Sequence, residues 1–583
     1  MKIVLTTLNA KYVHSALALY SLKSSLKAQG ILSEIKEYSI NQHLSDLVGD
    51  LFRQNPDVLA LACYIWNRQE ILQLSQAIKA ILPKCKIIIG GPEATYNAAS
   101  LLQNAPWVDY VILGEGEETL PALLKALRND DEGIARIKGI AWRSPEGIVA
   151  GEAQVVNELD SLPFPYEETD LEQLTGKILY YETSRGCPYS CQYCLSSATQ
   201  GVRFRSFDKV KAELDVFLRR QVRQVKLVDR TFNAKPEHYQ SIWRYLAQAE
   251  AETLFHFEVS ADILQQTDLE LLTALPSGRF QLEIGVQSTN EKTLRQIQRI
   301  NQWERLTDNV NCLRKADNVH LHLDLIAGLP YEDYASFANS FNEVYALKPH
   351  MLQLGFLKLL PGSGIRREAE KHEYVFLDIP PYEVMGNRWL HYAELLKLKE
   401  VEDVVERFYN SGLFAHSVDY LVRQTQGGAF VFYERLAEYW AGQGFQMIAH
   451  SSKGLAEILL RFAREEYAMA MELFEELLKL DMLLVPKGGL RISGLSWDGE
   501  QWDEEKTAFW RDEERVRQYL PNYTFLSWRE LKKRYQMEQM SFDVLQYLAS
   551  GTINRLSQTI LIDYSGKRVQ LHAVSEMEQE SVR

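Results

Sequence analysis

Cysteine is scarce and uneven: the chain has six in 583 residues, and three of them fall at 187, 191 and 194. That distribution excludes a secreted domain stapled by disulfides, and it favours reduced thiols serving as metal ligands. Long hydrophobic runs are missing as well, since no stretch approaches the roughly 20 apolar residues of a membrane span. Met1-Lys2-Ile3-Val4-Leu5 enters a strand-like segment directly, without the apolar stretch and cleavage site of a signal peptide. The expectation is a cytoplasmic protein with no membrane contact. Positive charge is also short, with a net charge of -14. A broad grip on nucleic acid or an anionic membrane is therefore disfavoured, and a small-molecule substrate is expected. No G-x-G-x-x-G follows the first strand, which disfavours a dinucleotide site. No internal repeat or low-complexity tract stands out.

What is present is alternation. The fold class is α/β, and the length implies several cores, since one core stops growing well below 583 residues. Residues 1–135 read as a Rossmann-like (flavodoxin-like) doubly wound domain. Its five strands are expected at Lys2–Leu8, Glu34–Ile40, Val58–Ile65, Lys86–Ile89 and Val108–Leu113, with helical spacing over Ser15–Gln29 and Gln69–Leu82 and stop signals at Gly30 and Pro83. Residues 136–170 read as a hairpin around Ser144-Pro145-Glu146-Gly147 and a stiff linker containing Pro163 and Pro165. Six more βα repeats, with strands at Ile178–Thr183, Gln224–Asp229, Phe255–Ala261, Phe280–Gln287, His320–Ala327 and Met351–Leu359, predict a partial (β/α)6 TIM-like barrel over 171–363. Residues 364–583 read as mainly α, with helices over Arg366–Glu373, Tyr382–Lys399, Tyr433–Gly442 and Ala456–Leu480, and a terminal hairpin over Ile560–Leu571 around Ser565-Gly566.

In such sheets, functional groups sit just past the strand ends. In the first domain these are Asn9 to His14, Tyr64-Ile65-Trp66, Gly90-Gly91-Pro92-Glu93 and Gly114-Glu115-Gly116, where glycine would let backbone approach a bulky ligand. Tight turns with no ligand are the alternative. After the first barrel strand comes Ser184-Arg185-Gly186-Cys187-Pro188-Tyr189-Ser190-Cys191-Gln192-Tyr193-Cys194, a C-x3-C-x2-C loop. Three close thiolates can hold three irons of a 4Fe-4S cubane and leave the fourth open. A structural zinc site is the alternative, but such sites take four ligands and no fourth Cys or His lies nearby. Cys63, Cys85 and Cys312 lie singly in apolar patterns and read as core residues.

The cysteine loop, with Arg-Gly before it and Tyr193 before the third cysteine, resembles the signature of the radical S-adenosylmethionine superfamily. The resemblance implies a 4Fe-4S cluster on Cys187, Cys191 and Cys194 that reductively cleaves S-adenosylmethionine, with a reducing partner such as flavodoxin or ferredoxin. It also implies cofactor contacts from Tyr193, Asp229, Glu258, Ser260, Glu283 and Gln287, and from Ile326 in the Leu325–Pro330 segment. Each charged residue among them could instead be a barrel salt bridge. An α/β domain placed before the radical domain resembles the cobalamin (B12)-binding subclass. That implies cobalamin against Asn9, Tyr64, Gly90, Gly91, Pro92, Glu93, Gly114, Glu115 and Gly116. The D-x-H-x-x-G motif of some cobalamin domains is absent: Tyr12 precedes His14 by two and Leu17 follows by three, so His14 reads as a helix-start residue. Methylthiolation is set aside because the first domain lacks the three further cysteines of those enzymes. Three readings stay open: a cobalamin-dependent radical enzyme that methylates or rearranges an unactivated carbon, with the anaerobic magnesium-protoporphyrin ester cyclase as one resemblance; a radical enzyme whose first domain has lost cobalamin; and a non-enzymatic cobalamin or redox sensor.

Overall fold

Runs of Val, Ile and Leu with little polar alternation make strands that need cover on both faces, and the N-terminal third is built that way. The computed structural model describes residues 1–129, 133–198, 201–485, 489–497, 503–566 and 569–574. They form two compact bodies, Met1–Pro349 with Leu354–Leu395 and His350–Gln353 with Leu396–Arg583.

The first body begins with β1 (Ile3–Asn9), β2 (Glu34–Ser39), β3 (Val58–Ala62), β4 (Lys86–Gly90) and β5 (Tyr110–Ile112), parallel in the order β2-β1-β3-β4-β5. Alternate residues divide the strands between two cores. Val4, Leu59, Ile87 and Ile89 pack towards helices Leu44–Gln54 and Arg68–Ile81, whereas Ile3, Leu5, Val58 and Ile88 pack towards Leu17–Ala28 and Gly116–Arg128. The order reverses direction at β1/β3, and ligands of such sheets bind at that switch. The hairpin β6 (Ile140–Ser144) and β7 (Gly147–Ala150) is not a separate connector. It pairs antiparallel with β5 and widens the sheet to seven strands, because Ile140 and Ala141 find apolar cover on both sides.

The second sheet of this body contains β8 (Leu179–Tyr181), β11 (Gln224–Leu227), β12 (Leu254–Val259), β13 (Phe280–Gln287), β14 (His320–Ala327) and β15 (Met351–Phe356), of which Leu354–Phe356 belong to the first body. They run in the order β15-β14-β13-β12-β11-β8, a partial barrel. A ribbon of β9 (Ser184–Gly186) and β10 (Val202–Phe204) follows β8. Phe257 and Phe280 point outward to pack on Trp243, Phe257 also on Phe232, and Phe255 stacks beside Phe257. The alternate positions Lys226, His256, Glu258, Glu283, His322 and Asp324 face inward, which gives the barrel a charged lining.

Past the barrel, two helix expectations fail. The helix near Arg366 is the single turn Gly364–Arg367, and Glu373 is left-handed (φ 55°). The helix expected from Tyr382 starts only at Tyr392, because Asn387 accepts from Trp389 N and Leu390 N and donates to the Gly328 carbonyl, fixing a turn after the short strand Val384–Gly386. In the second body, Ser452–Glu466 and Met471–Leu483 are two helices and not one, parted at Tyr467, whose hydroxyl meets Thr425 Oγ1 at 2.7 Å. The expected terminal hairpin exists as Gln558–Asp563 and Gln570–Val574, and an unforeseen strand, Tyr535–Met540, completes a three-stranded sheet. Among the described residues no helix is long and apolar enough to cross a membrane.

One buried acid ties the end of β13 to the helix Tyr334–Ala346. Glu332 is 1% exposed, and its Oε1 accepts from Ser288 Oγ (2.6 Å) and Ser340 Oγ (3.0 Å) while Oε2 has no partner. Burial pushes its carboxyl up to about 7. A carboxyl raised in the folded state contributes stability that is complete below its unfolded pKa and is lost as the pH rises through about 7. Glu332→Gln, which mimics the protonated acid, should therefore raise the thermal midpoint at pH 8 and leave it unchanged near pH 4. The gain should be on the order of 3 kcal/mol. Thermal unfolding at the two pH values measures it; equal midpoints of variant and wild type at pH 8 would refute it.

Candidate functional site

Two cavities open in the first body, each at the carboxyl ends of parallel strands. The larger, about 610 Å³, lies beyond β1, β3, β4 and β5. Its floor is a slot between the sheet and the helices Leu17–Ala28 and Gly116–Arg128, lined by Leu22, Ala60, Ala62, Ile88, Ile112 and Leu120. Ala60, Ala62 and Gly90 at the strand positions facing it leave room beside the larger Ile88 and Ile112. Of the residues expected here, Asn9, Tyr64, Gly90, Gly91, Pro92, Gly114, Glu115 and Gly116 line it. Glu93 does not. It is buried, accepts a 2.7 Å hydrogen bond from the Tyr382 hydroxyl and lies 3.8 Å from Arg68 Nε.

At the mouth, Tyr64 and Trp66 stack with ring centres 4.5 Å apart, and Trp66 Nε1 donates to the Leu8 carbonyl. His14 is a correction: it lies in the loop before the helix that begins at Leu17, and it lines the cavity. Its Nδ1 sits 2.7 Å from the Tyr180 hydroxyl on β8, and burial lowers its pKa. Glu117, next to Gly116, and Glu182 and Arg185, just ahead of the cysteine loop, also line this cavity; residue type gave none of them a role here, and no local motif marks Glu182 and Arg185 as neighbours of Gly114–Gly116.

The smaller cavity, about 190 Å³, gathers Cys187, Cys191, Cys194, Tyr193, Glu258, Ser260, Glu283 and Gln287, together with Arg230, Thr231, Arg299 and Asp324. The cysteine loop is pinned at its centre: Gln192 N donates to the Ile297 carbonyl (2.9 Å), and Ile365 N to that of Gln192 (2.8 Å). None of the three thiols is in a disulfide, and each has a polar neighbour. Arg299 Nη1 donates to Cys191 Sγ (3.9 Å), Ser196 N to Cys194 Sγ (3.4 Å), and Thr231 Oγ1 lies 3.5 Å from Cys187 Sγ. Burial pushes the Cys191 thiol up, and the Arg299 guanidinium opposes it. Arg299 also donates to the Tyr193 hydroxyl (3.2 Å) and to the Gly285 carbonyl. Among the described residues no three Cys, His, Asp or Glu side chains converge as ligands of one ion would.

The acids of this cavity differ sharply. Burial pushes the Glu283 carboxyl up, but His256 (2.9 Å) and Lys226 (2.8 Å) more than reverse this and hold it at about 2. Burial raises Glu258, with Lys226 3.7 Å away, and raises Asp324, with His322 at 3.1 Å. Gln287 is held left-handed (φ 71°) where the β13/β14 register shifts. Its Oε1 is buried without a partner, and a side chain at Gly285 would collide with its amide. Bulges of this kind re-aim side chains beside functional sites. Ser260 is committed to Asp262 (2.7 Å) and receives Tyr189 (3.4 Å).

Asp229 does not join this set. Its carboxylate turns back to accept from Thr183 N, Thr183 Oγ1 and Ser184 Oγ, and burial pushes it up to about 6. Arg230 and Thr231 take the strand-end position instead. Ile326 follows Asp324 on the inward face of β14 but is not among the cavity's lining residues.

Three family models match the chain. Residues 3–124 match the B12 binding domain, residues 181–344 the Radical SAM superfamily, and residues 370–562 a family of unknown function, DUF4080. The cobalamin-dependent radical SAM methyltransferase TokK of Streptomyces tokunonensis is 25% identical over 67% of this chain and 62% of its own. The anaerobic magnesium-protoporphyrin IX monomethyl ester cyclase of a Synechocystis species is 27% identical over 42% of this chain and 50% of its own. The chain thus spans under two thirds of these relatives. Among solved structures, the cobalamin-dependent radical enzyme OxsB with aqua-cobalamin and S-adenosylmethionine bound superposes with a TM-score of 0.59 at 15% identity, covering 90% of this chain and 82% of that one. TsrM of Kitasatospora setae, with cobalamin and a [4Fe-4S] cluster, gives 0.54 at 15%, covering 65% and 78%. The fold is that of cobalamin radical SAM enzymes.

The two glycines after β4 should behave differently. A Cβ at Gly91 (φ 101°) would lie 2.5 Å from the Cys63 carbonyl oxygen, whereas one at Gly90 would meet only Ile112, at 3.4 Å, beside the cavity. Gly91→Ala should cost about 1–3 kcal/mol of stability through the backbone alone. Gly90→Ala should stay within about 0.5 kcal/mol. Thermal unfolding of both variants checks this, and equal losses would refute it.

Proposed function

We propose that this chain, with its B12 binding and radical SAM domains, is a cobalamin-dependent radical enzyme that transfers a methyl group to an unactivated carbon of a small-molecule substrate. The observation that carries the reading is that one short segment serves both cavities: Glu182 and Arg185 line the larger, and Cys187, two residues on, lines the smaller. Two cofactors placed there would face one cleft, as sequential chemistry on one substrate requires. Rearrangement of the carbon skeleton is the second reading, supported by the similarity to the ester cyclase.

The residues fit the cofactors. The glycine turns and stacked Tyr64–Trp66 at the mouth suit a flat macrocycle, and the apolar slot suits a narrow arm reaching between sheet and helices. Cys187, Cys191 and Cys194 would hold a 4Fe-4S cluster, and the orphaned Gln287 Oε1 would accept a hydrogen bond from S-adenosylmethionine, which the ionised Glu283 and buried Glu258 would also contact. When bound, the cluster supplies the electron that cleaves S-adenosylmethionine and the cobalamin supplies a methyl carrier. The chain's own residues orient these groups and exclude water. A flavodoxin- or ferredoxin-like reductant and an oxygen-poor cytoplasm suit three thiols outside any disulfide.

Anaerobic reconstitution should give about four irons and four sulfides per chain, and Cys187→Ala, Cys191→Ala or Cys194→Ala should abolish 5'-deoxyadenosine formation. Normal turnover in any of these would defeat the radical reading. Titration with hydroxocobalamin should reach one per chain, including in His14→Ala, since Tyr180 already engages that imidazole. No stoichiometric uptake by wild type would favour a radical enzyme without cobalamin, and failure to cleave S-adenosylmethionine would favour a sensor.

Gln287→Leu should leave the cluster's absorption intact while weakening S-adenosylmethionine binding by roughly threefold to tenfold, the range for one neutral hydrogen bond. Equilibrium binding measures it. Unchanged affinity would mean that Oε1 points away from the cofactor.

A further inference from the structure

The charged group between the two cavities has a geometry that packing does not require. Arg185 on β9 and Arg203 on β10 are direct cross-strand partners in an antiparallel ribbon. Like charges so placed repel, yet both side chains are largely buried, 13% and 21% exposed. Carboxylates from elsewhere bind them. Glu115 accepts from Arg185 Nη1 (2.9 Å), from Arg203 Nη2 (2.6 Å) and from Val156 N (2.7 Å). Arg185 Nη2 reaches Glu117 (2.5 Å), and its Nε reaches Glu182 (2.9 Å). Burial pushes the Glu115 carboxyl up, but the two guanidiniums outweigh it and hold it below its usual range.

These partners come from the two functional loops. Glu115 and Glu117 belong to the Gly114–Gly116 turn and the helix it starts, both at the larger cavity. Arg185 is separated from Cys187 of the smaller cavity by Gly186 alone. That glycine is itself fixed: it has φ 99°, and a side chain there would strike the Gly201 carbonyl. The Glu115 end is equally fixed, since Glu115 N donates to the Gln154 carbonyl (2.8 Å), the same carbonyl that a side chain at Gly114 would strike. A displacement of either loop therefore has no slack to absorb it.

We propose that Arg185 is a positioning residue: through Glu115 and Glu117 it fixes the cobalamin-cavity loop against the cluster loop and so sets the separation of the two cofactors. The inference rests on the cofactors proposed above. A planar guanidinium bound to three carboxylates at once holds direction as well as distance, which an ammonium cannot do. Misplacement of about 1 Å is enough to disable a reacting pair.

The test uses the full chain, reconstituted anaerobically with iron, sulfide and hydroxocobalamin and reduced to cob(II)alamin. The readout is the enhancement of cob(II)alamin electron-spin relaxation by the reduced cluster, which depends steeply on their separation. Arg185→Lys and Arg203→Lys, the latter at the second guanidinium that holds Glu115, should each keep wild-type circular dichroism, iron and cobalt content while changing that enhancement. The double variant should change it no further than the larger single one, as expected for one connected device. Unchanged enhancement in both single variants with both cofactors retained would overturn the proposal. So would loss of iron from both, which would make Arg185 a builder of the cluster loop alone. Wild-type protein that takes up no cobalamin would instead defeat the cofactor reading, and the positioning role with it.

Discussion

The arrangement of the first body depends on a short piece of backbone pairing at the edge of the partial barrel. Ile178, just ahead of β8, donates its N–H to the Val13 carbonyl, accepts a hydrogen bond from Ser15 Oγ and forms a parallel bridge with His14. Residues 13 to 15 are the loop that leaves β1 at the carboxyl end of the first sheet. The loop of one sheet thus continues the edge of the other, and both sets of strand ends are drawn to a common region. The His14–Tyr180 contact and the ion pair of Lys177 with Glu37 (3.2 Å) fasten the same seam.

Charge is distributed to suit that seam. The barrel's inward positions carry Lys226, His256, Glu258, Glu283, His322 and Asp324, each paired with an opposite or titratable neighbour on the next strand or the same one. Buried charges persist only when paired; the parallel register sets Glu258 opposite Glu283 and Lys226 opposite His256, so the ion pairs run diagonally to it, from Lys226 to Glu258 and Glu283 and from His256 to Glu283. Lys226 then neutralises the acid that most needs it. The aromatic residues on the outward face of the same strands supply the packing that holds the charged lining in place.

The elements legible in the sequence were those where one physical signal had no competitor. Apolar runs between helical periods located all the parallel strands, and the spacing of three cysteines located the smaller cavity. The six residues Tyr535–Met540, Tyr-Gln-Met-Glu-Gln-Met, were illegible as a strand because Gln, Met and Glu are helix formers, and only pairing with Gln558–Asp563 overrides that preference. The break at Tyr467 was illegible because the apolar period continues through it. In the site, residue type suggested that Asp229 and Glu93 would face ligands, but each carboxylate has closer protein donors, Thr183 and Ser184 for one and Tyr382 for the other. Such partners lie far away in sequence, and no local pattern announces them. Arg185 was in view inside the cysteine motif and Glu115 in the Gly114–Gly116 turn, but nothing local announced that the two would pair.

The glycines of the first domain bear on how such chains are compared with one another. Gly91 and Gly114 are demanded by the carbonyls of Cys63 and Gln154, so a descendant that had discarded its corrin would still retain both for the sake of its backbone. Their persistence in a lineage therefore says little about ancestry of function. Ala60, Ala62 and Gly90 border the slot itself, and larger side chains would accumulate there once nothing needed the space. In a survey of related genomes, those three columns, more than the glycine turns, would separate chains that keep the cofactor from chains that inherited only its container.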